Sequence, residues 1–167
     1  NLLKLLRVKE KKNIEIITRS ITEYKDLESI FKKKHFDIIV NLAALTSVNE
    51  TSLNPKKTLQ TNVKGFENIL KLMKKYKKDK IIYASSCAVY GENKHKNNEN
   101  TKLNPKSFYG KTKIENEKIA NEYYNKFKIL SIGIRFSNIY GKYQRYDSLY
   151  SAVITKWINL IKYKKSV

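Results

Sequence analysis

The chemistry of this chain is concentrated in two short stretches. One is Tyr83-Ala84-Ser85-Ser86-Cys87-Ala88-Val89-Tyr90-Gly91, which places a serine at the end of an apolar run. The other is Phe108-Tyr109-Gly110-Lys111-Thr112-Lys113, a Tyr-x-x-x-Lys pair. On a helix, positions i and i+4 share a face, so Tyr109 and Lys113 are expected to point the same way. An ammonium beside a phenol favours the phenolate and lowers its pKa. The Ser86 hydroxyl would hold a substrate alcohol against that base. This is equipment for hydride transfer from an alcohol.

Those residues need a scaffold, and the composition supplies one. The 167 residues are enough for one domain with a sizeable core, and 41% are hydrophobic and spread along the chain. The single cysteine, Cys87, leaves no internal disulfide framework and points to a reduced, cytoplasmic setting. No apolar run reaches the length of a membrane span, and no signal-peptide pattern opens the chain, so no membrane partner is expected. His35 and His95 both neighbour lysines in polar stretches, which leaves no evident metal-ligand set. The formal charge is +20, but only four of the 35 basic residues are Arg (7, 19, 135 and 145), and the lysines are scattered over every predicted helix. Without a recognition helix or an arginine-rich arm, the reading is a solvated lysine coat with no nucleic-acid partner.

Apolar runs alternate with segments of helical period. Ile14–Ile17, Asp37–Asn41, Lys80–Ala84 and Ile129–Ile134 read as strands, and their near-continuous hydrophobicity predicts a sheet covered on both faces. Helices are predicted over Glu23–Lys34, from Asn54-Pro55 to about Tyr76, from Asn104-Pro105 to about Phe127, and over about Ser151–Lys162. Leu59, Val63, Phe66, Ile69, Leu70 and Met73 form the buried stripe of the second; Tyr109, Lys113, Asn116, Ala120 and Tyr123 share a stripe on the third. The alternation argues a doubly wound α/β fold. Glu92–Pro105 reads as a solvated excursion, and Lys142–Tyr150 follows the last strand where ligands of open α/β sheets bind.

The chain resembles the extended short-chain dehydrogenase/reductase family, in particular its nucleotide-sugar 4-epimerases. The resemblance covers roughly Asp37 to Ile161. It rests on five motifs in order: Asn41-Leu42-Ala43-Ala44; Asn62-Val63-Lys64-Gly65-Phe66; Ser85 to Gly91; Tyr109-x-x-x-Lys113 with Glu117; and Arg135-Phe136-Ser137-Asn138-Ile139-Tyr140-Gly141. It implies a Rossmann-type domain binding NAD, with Tyr109 as acid/base, Lys113 on the nicotinamide ribose and Ser86 on the reacting hydroxyl. Leu42, Ala43 and Ala44 would line the dinucleotide pocket, Asn62 would stand on the cofactor side, and Phe136 would pack near the nicotinamide. Ser47, Ser86, Cys87, Tyr109, Asn138, Ala152 and Val153 would meet the substrate, a UDP-sugar. The family also implies a homodimer through the helices holding Leu59–Met73 and Tyr109–Tyr123.

Family dehydratases place an Asp-Glu pair after the serine, where this chain has Cys87-Ala88, so an oxidise-rotate-reduce epimerisation is expected instead. Ala44-Leu45-Thr46-Ser47-Val48 and the segment from Tyr150 to Trp157 resemble the branch that epimerises UDP-N-acetylhexosamines, enzymes that feed surface polysaccharide synthesis. The family's glycine-rich turn is absent from the sequence, Ser20 stands where an Asp is usual, and Ser137 replaces a bulkier residue. The expectation is therefore a partial NAD-binding Rossmann domain over 1–167, with 142–167 leading toward a substrate lobe that the chain lacks, and inactive in isolation. Plainer readings stand beside these: Cys87 as a small buried residue, Asn62 and Asn138 as partners of loop backbone, and Phe136 as core. Another nucleotide-sugar oxidoreductase, an epimerase of UDP-glucose or UDP-glucuronate, or a non-catalytic remnant are the alternatives.

Overall fold

The structure is a computed structural model describing residues 14–93, 96–141 and 153–162. Two compact units divide the chain: Arg19–Ser137, and a second to which residues 14–18, 138–141 and 153–162 belong. The first unit runs α1 (Tyr24–Lys33), β1 (Ile39–Asn41), α2 (Val48–Leu53), α3 (Pro55–Thr58), a π-helical stretch (Leu59–Lys64), α4 (Gly65–Lys75), β2 (Lys80–Ser86), a 3₁₀ turn (Cys87–Val89), α5 (Phe108–Phe127) and β3 (Leu130–Phe136). All pairings are parallel in the order β1-β2-β3, so helices make the crossovers and the predicted α/β class is observed.

Local sequence explains the helix ends. Ser107 caps α5 by accepting the Gly110 N–H at 3.0 Å, so the helix starts at Phe108, a turn later than the Asn104-Pro105 signal suggests. Pro55 opens α3, and the helical path then continues through the π stretch into α4. Two helices end on lysines in the left-handed region, Lys77 just past α4 (φ 52°) and Lys128 at the end of α5 (φ 58°). A non-glycine residue there carries a steric cost of the Cβ against the following carbonyl.

The core joins Leu27 and Phe31 of α1, Phe66, Ile69, Leu70, Leu72 and Met73 of α4, Ile81 and Tyr83 of β2, and Ala120 of α5. The rings of Phe66 and Tyr83 lie 4.9 Å apart. Each such large side chain, fully buried, contributes about 1.5–3 kcal/mol of transfer free energy. Leu59 departs from the predicted stripe and is exposed.

Alternation along the strands sorts the two faces. Ile81, Tyr83 and Ser85 are buried, while Val40 and Ile132, in register with Ile82, are 57% and 52% exposed. The helices therefore cover one face of the sheet, and no described element of this unit covers the other. The parallel order with helical crossovers is that of the Rossmann-like, doubly wound fold the sequence predicts, and the open face is a feature of the described residues of this unit.

A correction concerns Ile14–Ile17. Those residues form no strand, and Ile14, Ile16 and Ile17 are exposed in the other unit. A strand exists only as a member of a hydrogen-bonded ladder, and a four-residue stretch with three isoleucines does not specify one. In that unit the last helix is α6 (Val153–Lys162); the predicted start at Ser151 and the loop 142–150 fall outside the described residues.

The loop expected to be merely solvated is anchored. Asn104 N–H donates to Val89 O at 3.1 Å, and the Asn93 side chain donates to Tyr90 O. Gly91 sits at φ +66°, with Asn104 O only 1.9 Å from where a Cβ would stand. We therefore expect Gly91→Ala to destabilise the chain strongly, since both the backbone conformation and the space refuse a methyl group. Lys128→Gly should instead raise stability by about 1 kcal/mol by relieving the left-handed strain. Urea unfolding of the two variants measures both effects.

Candidate active site

The carboxyl end of β2 delivers Ser86, and the first turns of α5 deliver Tyr109 and Lys113. Helix and strand meet closely because position 110 is glycine: a Cβ there would lie 2.6 Å from Ala88 O. Lys113 is 3% exposed and its Nζ donates to the Ala84 carbonyl at 2.8 Å. The same Nζ lies 5.5 Å from the centre of the Tyr109 ring, so helical spacing does bring the pair onto one face. Ser86 accepts the Ala88 N–H at 3.2 Å, which fixes its hydroxyl at the strand end.

The electrostatics differ from the sequence expectation. Burial pushes Lys113 down to about 8, because its ammonium faces a carbonyl and a phenol rather than a carboxylate. Burial likewise raises the Tyr109 phenol, and the nearby Cys87 thiol adds to the rise; only the hydrogen bond to the Ser86 hydroxyl acts in the opposite direction. Lys113 thus does not by itself make a phenolate of Tyr109. Burial is the largest influence on the phenol.

Other predicted residues fall into three groups. Leu42 and Ala43 are exposed just past β1, with Ala44 partly buried, at the carboxyl edge of the sheet where a ligand of a parallel α/β sheet binds. Phe136 closes β3 in register with Ser86, and Cys87 is exposed beside it rather than buried as expected. The thiol begins the 3₁₀ turn that follows the sheet and stands near the Tyr109 phenol.

The second group is committed to the chain itself. Asn62, 1% exposed in the π stretch, accepts the Leu45 N–H at 2.8 Å and donates to Leu45 O at 3.0 Å and Thr112 Oγ1 at 3.3 Å. The wider π turn directs this amide to the loop after β1, as π bulges at functional sites often do. Ser47, 6% exposed, caps α2 by accepting the Glu50 N–H. The third group lies in the other unit: Asn138 and Val153 are both exposed there, and Ala152 falls outside the described residues.

One set of residues quoted only as motif members turns out to be a network. Arg135 of β3 makes a two-pronged ion pair with Glu117 of α5, Nε to Oε1 at 3.0 Å and Nη2 to Oε2 at 2.8 Å. Ser85 Oγ donates to the same carboxylate at 2.5 Å. The signal was available, because Glu117 lies one helical turn beyond Lys113 and two beyond Tyr109. A cavity of about 490 Å³ borders this pair, lined by Tyr83, Tyr90, Glu99, Gly133 and Ile134 besides. It does not include Tyr109, Lys113 or Ser86.

The sequence profile of the NAD dependent epimerase/dehydratase family matches residues 4–167. The chain belongs to that family. It is 34% identical over 161 residues to a dTDP-D-glucose 4,6-dehydratase of Dictyostelium discoideum, covering 89% of this chain and 36% of that one. It is 33% identical over 144 residues to UDP-glucuronate 4-epimerase 4 of Arabidopsis thaliana, covering 84% and 33%. Among solved structures, a UDP-N-acetylglucosamine 4-epimerase from Methanobrevibacter ruminantium, in complex with UDP-N-acetylmuramic acid, superposes with a TM-score of 0.90 at 30% identity, over 98% of this chain and 52% of that one. The chain thus spans about half, or less, of the length of these relatives.

The family's cofactor is NAD. The residues described here fit it in two respects. The small side chains of Ala43 and Ala44 leave backbone approachable at the sheet edge, and the buried Lys113 ammonium has a carbonyl but no carboxylate to compensate it. A polar ribose is a suitable further partner for such a cation.

The lowered Lys113 value has a testable sign. The lysine binds its proton more weakly in the fold, at about 8, than at its ordinary 10.5, so the unfolded chain holds more protons between those values. Stability should therefore rise with pH across that window. Between pH 8 and 10 we expect a gain of up to about 2 kcal/mol by urea denaturation. Above pH 10 the raised tyrosines, Tyr83 at about 12 among them, act oppositely. Lys113→Met should flatten the rise.

Proposed function

We propose that this chain carries the reaction centre of an NAD-dependent 4-epimerase of a UDP-sugar, with UDP-GlcNAc and UDP-GalNAc as the leading pair. The observation that carries the reading is the Tyr109–Lys113–Ser86 cluster, followed by Cys87-Ala88 in place of an acid/base pair. Elimination of water needs a second acid and base on the substrate, and neither a thiol nor a methyl group meets that need at neutral pH. Similarity to a dehydratase is thus similarity of scaffold. An epimerase needs one group that takes and returns a single hydroxyl proton, and Tyr109 can serve both half-reactions.

In this reading Ser86 Oγ holds the sugar 4-hydroxyl and Tyr109 Oη takes its proton. NAD, when bound, accepts the C4 hydride and gives it back. Because burial holds the phenol up, Tyr109 remains protonated until a further positive charge stands near it, which would couple proton removal to a loaded site. Lys113, bonded to Ala84 O, is assigned to the nicotinamide ribose, and Phe136, in register with Ser86, to the nicotinamide. Asn62 acts through Leu45, holding the loop that continues from Leu42, Ala43 and Ala44. Asn138, Ala152 and Val153 are assigned to the sugar nucleotide by family resemblance. A cytoplasmic homodimer supplying sugar nucleotides for polysaccharide synthesis is the accompanying proposal.

The test is proton NMR of UDP-GlcNAc incubated with NAD and the protein at its natural length. UDP-GalNAc should appear, and Tyr109→Phe should slow its formation by about 10²–10⁴-fold. Turnover of UDP-glucose or UDP-glucuronate alone would move the assignment to another branch; net release of NADH would replace epimerisation by oxidation.

A further inference from the structure

The ion pair between Glu117 and Arg135 joins more elements than any other side-chain cluster described here. Arg135 comes from β3, Glu117 from α5 and Ser85 from β2, and the remaining guanidinium nitrogen, Nη1, donates to Tyr90 Oη at 3.1 Å and to Glu99 O at 3.2 Å. Ser85 and Arg135 face each other in the sheet register, so the carboxylate of α5 bridges two neighbouring strands. The two side chains of the pair are only 20% and 18% exposed. Burial alone would raise the Glu117 carboxyl, yet the bonds from Arg135 and Ser85 hold it below the usual carboxylate range. The pair is therefore charged and fully engaged.

Its place on the helix gives it a role. Successive turns of α5 reach adjacent residues of β2, with Lys113 on the Ala84 carbonyl and Glu117 on the Ser85 hydroxyl. Hydrogen bonds are directional, and two of them from different turns fix a helix against both sliding and rolling. Tyr109 lies one turn before Lys113, and Ser86 directly follows Ser85. We propose that Glu117 and Arg135 are positioning residues, a clamp that sets the height of α5 on β2 and thereby the approach of Tyr109 to Ser86. The inference rests on the reading of Tyr109 and Ser86 as the reacting pair, but its first test requires neither cofactor nor substrate.

The probe is the Lys113 ammonium, followed by NMR of ¹³Cε-labelled lysine in the chain, with Lys113→Met assigning the resonance. The groups it meets are the Ala84 carbonyl on β2 and the Tyr109 phenol; Glu117, one turn further along its own helix, is engaged with Ser85 and Arg135. Removing the negative charge by Glu117→Gln would, through electrostatics alone, lower the lysine further or leave it in place. Loss of the clamp instead hydrates the ammonium and raises it. We expect the Lys113 titration to move from about 8 up toward 10.5, by at least about one pH unit, in folded Glu117→Gln and Arg135→Met. Glu67→Gln, which removes an exposed pair with Lys64 and Lys71, should leave it unmoved.

A folded Glu117→Gln chain whose Lys113 still titrates at about 8 or lower overturns the proposal. If the two clamp variants do not fold, Ser85→Ala decides. It removes one bond to the carboxylate, and a smaller upward shift supports the clamp while no shift refutes it. In the natural-length protein with NAD, kcat should fall at least tenfold in Glu117→Gln, with the KM for the UDP-sugar unchanged. Should the upward titration appear without epimerase activity in the parent protein, the clamp stands and the functional reading fails.

Discussion

Burying an ammonium costs more than a single hydrogen bond to a carbonyl returns, and the 2.8 Å contact from Lys113 Nζ to Ala84 O is maintained against that cost. Most of the unit Arg19–Ser137 can be understood as the means of maintaining it. The contact requires α5 to lie close on β2, which requires glycine at 110 so that the helix clears Ala88. It requires β2 to be flanked by paired strands so that its backbone is rigid where the carbonyl is presented. It also requires the helix to be held at its neighbouring turns, by Glu117 below and by the Ser107 cap above.

This constraint explains how the polar interior is arranged. Asn62, Thr112, Lys113, Asn116 and Ser85 are each at most 3% exposed, which is unusual for such residues unless they are paired. Asn62 ties the loop after β1 to α5 through Leu45 and Thr112, and Ser85 ties β2 to α5 through Glu117. Asn116 alone keeps a buried acceptor, Oδ1, without a hydrogen-bond partner among the described residues. The apolar core of Phe66, Leu70, Met73 and Tyr83 supplies most of the folding free energy. The polar set supplies the alignment, since hydrogen bonds specify angles that hydrophobic contacts leave free.

What the sequence disclosed follows the same division. The three observed strands, the helices that alternate with them along the chain, and the pairing of Tyr109 with Lys113 were legible because they depend on short-range periodicity. Period 3.6 puts positions 109, 113 and 117 on one face whatever surrounds them. The tuning of those groups was not legible. A sequence places an ammonium beside a phenol, but only the fold shows that burial raises the phenol and lowers the ammonium. The strand expected at Ile14–Ile17 failed for a related reason: its apolar pattern is local, whereas a ladder needs a partner at long range. The exposure of Cys87 at the 3₁₀ turn and the bonds of Asn62 to Leu45 from the π stretch were not legible either, since neither turn announces itself in residue order.

The state of Tyr109 bears on how such a site would avoid acting on the wrong molecule. A phenolate fixed by Lys113 alone would be a standing base, able to deprotonate any alcohol that reached the sheet edge. A phenol kept neutral by burial, with Ser86 favouring ionisation only modestly, becomes a base when a further cation is present. An oxidised nicotinamide carries that charge and its reduced form does not. The lowered Lys113 and the raised Tyr109 have one physical origin, burial of both groups where α5 lies on the end of β2.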